Sequence, residues 1–269
     1  MDHYLVVGNP IEHSRSPQIH AMFAEQTDEQ LEYDKQQIEE GHFREVMQEF
    51  KQRGVRGINV TVPYKHEAWE FVDERSPDAE LAGAVNTIEF NQDGSSYGGN
   101  TDGSGLLRDL TVNQNFSLAN QRILILGAGG AVRGILAPLL SAKPKNIVIA
   151  NRTAERAEKL ADIFIELGAV EGGGYEALNG QQFDLIINAT SASLQGKLPP
   201  LPLDILAADG VCYDLMYATE PTPFMQWGEE HGAAKVSDGL GMLVEQAADA
   251  FKLWRGIRPE TEKVIATLR

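Results

Sequence analysis

The sequence predicts an α/β protein of two units built on mainly parallel sheets. Segments with strand and helix patterning alternate along its whole length. Near the middle, a short apolar run meets a glycine-rich turn that opens a helical pattern. The 269 residues, at roughly 100–200 per domain, make one large domain or two modest ones.

In order along the chain, His3-Tyr4-Leu5-Val6-Val7-Gly8 reads as the first strand. Ser16-Pro17 then marks a helix start, with Ser16 as N-cap and Ile19, Met22 and Phe23 at helical spacing. Phe43, Val46, Met47 and Phe50 follow the i, i+3, i+4, i+7 pattern of a second helix. The run from Gly57 to Pro63 is a strand entering a loop, and that from Val85 to Phe90 is a strand ending in a turn at Asp93-Gly94. A second unit begins near Arg122. There a buried strand from Ile123 to Leu126 meets Gly127-Ala128-Gly129-Gly130-Ala131 and a helix. A strand from Ile147 to Ala150 leads to a helix with Ala157, Leu160, Ala161 and Phe164 on one face. Two more strands, from Asp184 to Asn188 and from Val211 to Leu215, complete the succession that a Rossmann-like domain requires. The last long helix aligns Leu240, Leu243, Val244, Ala247, Phe251 and Trp254. Gly172-Gly173-Gly174 and the proline-rich stretch from Leu198 to Pro202 read as loops.

Composition narrows the function classes. Lys plus Arg number 23 against 39 Asp plus Glu, a formal charge of −16. Such a surface repels polyphosphate and anionic lipid, which argues against nucleic-acid and membrane partners. No leader pattern and no apolar run of about 18 residues is present, so the expected location is the cytoplasm. The single cysteine, Cys212, excludes an intrachain disulfide, and its apolar neighbours predict an inert buried thiol. None of the six histidines falls at a metal-ligand spacing, so no metal is expected.

The glycine loop points to a dinucleotide. Gly127 permits a tight turn, and Gly129 lets backbone N–H groups approach a pyrophosphate at the positive end of the next helix. The third glycine of the generic fingerprint is replaced by Val132. After the following strand, an NAD site would hold an acidic residue for the ribose 2′-hydroxyl. This chain has Asn151-Arg152-Thr153 there, with Arg156 one turn further. Two guanidinium groups suit a 2′-phosphate, so the expected cofactor is NADP rather than NAD. Thr153 is also placed to cap the helix that follows.

Polar residues gather where strands of the first unit end, the usual ligand position in open α/β sheets. They are Ser14 and Ser16, Thr61 and Lys65, Asn86, and Asn100-Thr101-Asp102. Taken singly, each has a plain explanation: Asp102, like Ser16, is a good N-cap, and Lys65 a solvated lysine. Together His13-Ser14-Arg15-Ser16-Pro17, Asn59-Val60-Thr61-Val62-Pro63-Tyr64-Lys65, Gly83-Ala84-Val85-Asn86-Thr87 and Gly99-Asn100-Thr101-Asp102-Gly103 resemble the signature segments of shikimate dehydrogenases. The glycine loop, Asn151-Arg152-Thr153, Asn188-Ala189-Thr190-Ser191, Tyr213-Asp214-Leu215-Met216-Tyr217 and Asp238-Gly239-Leu240-Gly241-Met242-Leu243 extend the resemblance in order along essentially the whole chain.

The resemblance implies NADPH-dependent reduction of 3-dehydroshikimate to shikimate, a step toward chorismate and the aromatic amino acids. It implies a substrate domain over residues 1–103 and a Rossmann-like NADP-binding domain over 104–238 with a closable cleft between them, and C-terminal helices over 239–269 that return to the first domain. Lys65 matches the family's catalytic lysine and Asp102 its partner. Ser14, Ser16 and Tyr217 match residues that hold the substrate carboxylate, and Thr61, Asn86 and Gln246 match those that bind ring hydroxyls. Gly127, Ala128, Gly129, Gly130 and Ala131 match cofactor contacts, as do Asn151, Arg152, Thr153, Arg156, Thr190, Leu215 and Gly239. Reducing a ketone requires a proton donor at its oxygen, and an ammonium held by a carboxylate provides one. A quinate-accepting relative that uses NAD is disfavoured by the run from Asn151 to Arg156. A catalytically silent sensing module would need neither Lys65 nor Asp102. A homodimer is left open.

Overall fold

The computed structural model describes residues 1–190, 192 and 196–269. Ser191, the last residue of one signature segment, lies outside the described residues. The described chain forms two compact units: Met1–Gly105 together with Leu243–Arg269, and Leu106–Met242.

The first unit contains β1 (Asp2–Gly8), α1 (Ser16–Thr27), β2 (Leu31–Gln37), α2 (Phe43–Gln52), β3 (Gly57–Val60), α3 (Lys65–Phe71), β4 (Glu74–Arg75), α4 (Pro77–Ala82), β5 (Thr87–Phe90) and β6 (Ser96–Gly99). Its sheet runs β2-β1-β3-β5-β6-β4. β1 pairs in parallel with β2 and β3, whereas β5 is antiparallel to both β3 and β6. β4 pairs in parallel with β6, so three of the five pairings are parallel, as expected, and β5 is the one reversed strand. The antiparallel turnaround brings the start of β5 to the same edge as the ends of β1, β3 and β6. That edge carries the polar residues singled out above.

Packing explains the local choices. Phe43, Met47 and Phe50 of α2 are buried with Leu5, Ile58, Val60 and Tyr64, as their helical spacing requires. β3 stops at Val60, short of the expected Pro63, because Thr61 accepts a turn bond from the Tyr64 amide. β5 starts at Thr87 rather than Val85, because the Val85 amide donates instead to the Lys65 carbonyl at 2.8 Å. Ser16 is not an N-cap: Arg15 holds that position, Ser16 opens α1, and no side chain caps it. Behind the sheet edge, His20 is fully buried and stacks on Tyr33, with ring centroids 4.1 Å apart. Neither of its ring nitrogens has a hydrogen-bond partner, and burial pushes the imidazole pKa down to about 3.

The second unit is reached through α5 (Asp102–Arg108), which continues as a π-helical turn over Asp109–Asn113. Next come β7 (Arg122–Leu126), α6 (Gly130–Ser141), β8 (Asn146–Ala150), α7 (Ala154–Phe164), β9 (Val170–Gly173), β10 (Phe183–Asn188), β11 (Leu206–Asp214), α8 (Pro223–Glu230) and β12 (Lys235–Ser237). All pairs in this sheet are parallel, in the order β12-β11-β10-β7-β8-β9. This is the Rossmann order, with strand order reversing between β7 and β10. Ile123 to Leu126 are completely buried, the continuous apolar run expected of a strand covered on both faces. Gly172 and Gly173, expected in a loop, lie in β9. A Cβ on Gly172 would sit 2.2 Å from the Ala157 backbone of α7, so glycine is there to let helix and strand touch. Cys212 is fully buried, and burial pushes its thiol up to about 12, an inert thiol as expected.

The chain returns to the first unit within α9 (Leu240–Arg255) and ends with α10 (Glu262–Leu268). Leu240, Val244, Ala247 and Phe251 of the expected stripe are buried, and Ala248 and Ala250 widen it. Phe251 meets Phe23 edge-on at 5.8 Å, and the Trp254 indole donates to the Ile88 carbonyl at 2.9 Å. Aromatic contacts of this kind each contribute roughly 0.5–1.5 kcal/mol beyond area burial.

Candidate active site

Lys65 and Asp102 come together at the sheet edge. Each opens a helix, α3 and α5 respectively. Asp102 is therefore the first helical residue rather than the expected cap. Its amide donates to Asn100 Oδ1 at 3.1 Å, which satisfies one of the free N–H groups of the helix start. Lys65 is aimed by the residue before it. Tyr64 is fully buried, and its hydroxyl donates to the Ile38 carbonyl at 2.6 Å.

The Lys65 ammonium donates to Asp102 Oδ2 at 2.5 Å. The lysine side chain is 27% exposed and the aspartate 11%. One proton of the ammonium is thus engaged and two remain for other acceptors, on a group that solvent still reaches. The second carboxylate oxygen of Asp102 accepts from Asn86 Nδ2 at 2.8 Å. Asn86 Nδ2 also lies 3.0 Å from Thr101 Oγ1 and 3.4 Å from Gln246 Oε1. Lys65, Asp102, Asn86 and Gln246 are therefore one connected cluster. Gln246 enters it from α9, held by its Nε2 bond to the Leu243 carbonyl at 2.8 Å. Glycine at position 105 permits this, because a Cβ there would lie 2.7 Å from Gln246 Cβ.

Thr61 follows β3, its amide bonded to the Val7 carbonyl at 2.9 Å. Ser14 and Ser16 are joined by a 3.3 Å bond from the Ser16 amide to Ser14 Oγ. Among the described residues none of these three bonds directly to Lys65, Asp102, Asn86 or Gln246, although Ser16 bonds to Tyr33 behind them. Tyr217 lies after β11 in the second unit.

Several residues that fix this arrangement gave no signal as site residues. Asn59 and Thr87 hold Asn86 from inside the sheet. Glu245, fully buried beside Gln246, accepts from Arg258 Nη2 at 2.5 Å and from Thr261 Oγ1 at 2.6 Å. Asp249, one turn beyond Glu245, accepts from Arg258 Nε at 2.9 Å and from Ser104 Oγ at 2.6 Å. These ion pairs clamp α9 to the start of α5 and to the chain's end. Losing the arginine would strand a buried charge, which typically costs about 3–5 kcal/mol.

In the second unit, strand ends converge at the switch point. Gly127 has φ +108°, a conformation that favours glycine, and a Cβ there would lie 3.2 Å from the Ala189 carbonyl. Gly129 has an ordinary extended backbone, and a Cβ on it or on Gly130 would meet nothing within 4 Å. The protein's own packing does not demand glycine at these two positions, whereas a closely approaching pyrophosphate would. With Ala128 before and Ala131 after, they open the N-terminus of α6. Thr190 donates to Asn188 Oδ1 at 2.8 Å, and the Leu215 amide donates to the Asn188 carbonyl at 2.9 Å. A Cβ on Gly239 would lie 2.2 Å from the Leu215 carbonyl oxygen.

Beyond β8, Asn151 Nδ2 donates to the Thr153 carbonyl at 2.9 Å. Thr153 occupies the N-cap position of α7, but its side chain makes no capping bond. Arg152 and Arg156 are exposed. This donor set of two exposed guanidiniums and a helix start fits a phosphorylated dinucleotide. Among the described residues, no group of three or more His, Cys, Asp or Glu could hold a metal ion, and no helix is long and apolar enough to cross a membrane.

Comparison with known proteins follows the same division. Residues 6–88 match the family profile described as shikimate dehydrogenase substrate binding domain, residues 110–195 that of shikimate / quinate 5-dehydrogenase, and residues 239–269 that of the shikimate 5'-dehydrogenase C-terminal domain. Shikimate dehydrogenase (NADP(+)) of Methylococcus capsulatus is 58% identical over 267 residues, covering 99% of this chain and 96% of that protein. The crystal structure of an Ael1 enzyme from Pseudomonas putida superposes with a TM-score of 0.94 at 45% identity, covering 100% of this chain and 98% of that one. Shikimate 5-dehydrogenase from Thermus thermophilus, solved with NADP(H) and shikimate, has a TM-score of 0.88 at 32% identity, covering 99% and 98%. Identity at this level over the full length, added to the strand order and the polar cluster, shows that the chain belongs to the shikimate dehydrogenase family.

Proposed function

We propose that the chain catalyses the reversible, NADP-dependent reduction of 3-dehydroshikimate to shikimate. The observation that carries this reading is the 2.5 Å contact between Lys65 and Asp102, with Asn86 and Gln246 beside it. Residues 1–103 and 239–269 form the substrate domain in this reading, and residues 104–238 the NADP domain. NADPH, when bound, supplies the hydride.

Lys65 donates a hydrogen bond to the ketone oxygen and its proton as the alkoxide develops. Asp102 holds the ammonium in place, and in the reverse direction the Lys65 amine takes the same proton back from the substrate hydroxyl. Asn86, Thr61 and Gln246 bind ring hydroxyls, and amide side chains suit this because each both donates and accepts. Ser14, Ser16 and Tyr217 hold the carboxylate. Gly127 to Ala131 cradle the pyrophosphate, Thr190, Leu215 and Gly239 line the nicotinamide end, and Asn151 to Arg156 bind the adenosine 2′-phosphate.

Steady-state rates with shikimate and with quinate, each with NADP and NAD, test the reading. Shikimate with NADP is expected to give the highest kcat/KM. A higher value with quinate, or with NAD, would overturn the substrate or the cofactor assignment respectively.

A further inference from the structure

The Lys65–Asp102 pair ends a longer series of hydrogen bonds that runs into the interior of the first unit. The Tyr33 hydroxyl donates to Asn59 Oδ1 at 2.7 Å, and Asn59 Nδ2 donates to Thr87 Oγ1 at 3.0 Å. Thr87 Oγ1 donates to Asn86 Oδ1 at 2.9 Å, and Asn86 Nδ2 donates to Asp102 Oδ1 at 2.8 Å. Asn59 and Thr87 face each other across the antiparallel β3–β5 pair, so the register itself builds the central link. Every donor points toward the carboxylate, and bonds aligned in this way polarise one another.

Direction matters because an asparagine amide has two ends of nearly equal size and opposite hydrogen-bonding character. If Asn86 turned over, its oxygen would face the Asp102 carboxylate. Its orientation is set by what its oxygen accepts: the Thr101 amide at 2.9 Å and the Thr87 hydroxyl. A hydroxyl can act in either sense. Thr87 accepts from Asn59 Nδ2 and turns its single O–H to Asn86 Oδ1. Asn59 is oriented in turn by the Tyr33 hydroxyl on its oxygen and by the Asn86 carbonyl, 3.3 Å from its nitrogen.

We propose that Thr87 is a positioning residue for the reaction: its hydroxyl, directed by Asn59, locks the Asn86 amide and so fixes which way Asp102 faces Lys65. Thr87 is fully buried, so it touches no substrate and acts only through Asn86. The proposal rests on the reading of Lys65 and Asp102 as the acid–base pair.

The test measures shikimate oxidation with NADP by the unmodified chain, T87V and T87S, alongside their melting temperatures. T87V keeps the shape and removes the hydroxyl, whereas T87S keeps the hydroxyl and removes a buried methyl. Both variants are expected to melt lower. T87V should lose about tenfold in kcat, the scale of one buried hydrogen bond, with the KM for NADP unchanged. T87S should keep kcat within about twofold, so that activity follows the hydroxyl and not the packing. Unchanged kcat in T87V, or an equal loss in T87S, overturns the proposal. Should T87V show no melting transition, Y33F carries the test. It removes the first donor of the same series and should lower kcat about threefold, and an unchanged kcat again overturns the idea. An unmodified chain that does not oxidise shikimate sinks the functional reading instead, which keeps the two failures distinct.

Discussion

In the first unit, the candidate chemical groups are side chains held by other side chains. In the second they are backbone amides and two exposed arginines that lean on little else. Asp102 has both oxygens occupied, by Lys65 and by Asn86, and Asn86 is itself fixed on several sides. Around Gly129 and Gly130, by contrast, even a methyl group would find open space. The two tasks differ in what they tolerate. Proton transfer falls off steeply when donor and acceptor shift, so its groups are immobilised in a packed lattice. Binding a phosphate calls for N–H groups and positive charge facing outward, which a helix start and two guanidiniums provide without a supporting shell.

Substitutions that strike one region and spare the other put this contrast to the test. The largest effect is expected from Lys65→Ala. Its kcat should fall by about 10²–10⁴-fold with a smaller change in the KM for shikimate, because the lost interaction forms chiefly in the transition state. A variant with near-normal kcat and only a raised KM would make Lys65 a binding residue and the lattice a mere substrate cradle. Next comes the pair Arg152→Ala and Arg156→Ala. Each should weaken NADPH by roughly ten- to a hundredfold and leave NADH nearly unchanged, since only NADPH presents the extra phosphate. Equal losses for both dinucleotides, read by titration of nucleotide fluorescence, would show that the arginines serve structure.

A separate test concerns acid. His20 is neutral in the folded protein down to about pH 3, while its unfolded value is about 6.5. Between those limits the unfolded chain binds one more proton, so this residue makes stability fall as pH falls, by about 1.4 kcal/mol per pH unit. The contribution is fully present above the unfolded value. Denaturant titrations from pH 7 to pH 4 should show a slope that His20→Phe reduces by that amount. An unchanged slope would place the acid-sensitive element elsewhere, the second unit included.

What could be read in advance divides along physical lines. Elements whose apolar residues repeat with a helix or strand period were legible: α7 buries all four side chains its spacing singles out, and α2 buries Phe43, Met47 and Phe50 with Val46 half-buried beside them. Lys65, Asp102, Asn86 and Gln246 do meet, as the family resemblance led one to expect. Thr87 was not legible as a site residue, because a β-branched residue inside a strand is ordinary and only the antiparallel register sets it against Asn59. Gly172 suggested a loop for a similar reason: the demand for glycine comes from the Ala157 backbone, which no local pattern reveals. The partners of Glu245, Arg258 and Thr261, stand in a non-periodic stretch between two helices. Long-range polar contacts leave no period behind.

The first unit is made from the two ends of the chain, with the second inserted between them. During synthesis its sheet emerges first, yet α9, Gln246 and the Arg258 clamp arrive only after the whole inserted unit. At roughly 5–20 residues per second, that wait is on the order of ten seconds or more. The inserted unit is contiguous and can close on itself in the meantime, so an uninterrupted Rossmann sheet precedes a completed acid–base site. Until Phe251 and Trp254 leave the ribosome, the faces of Phe23 and Tyr4 that they cover are open to other apolar surfaces. A nascent chain stalled before Leu240 would thus be the form most in need of a chaperone.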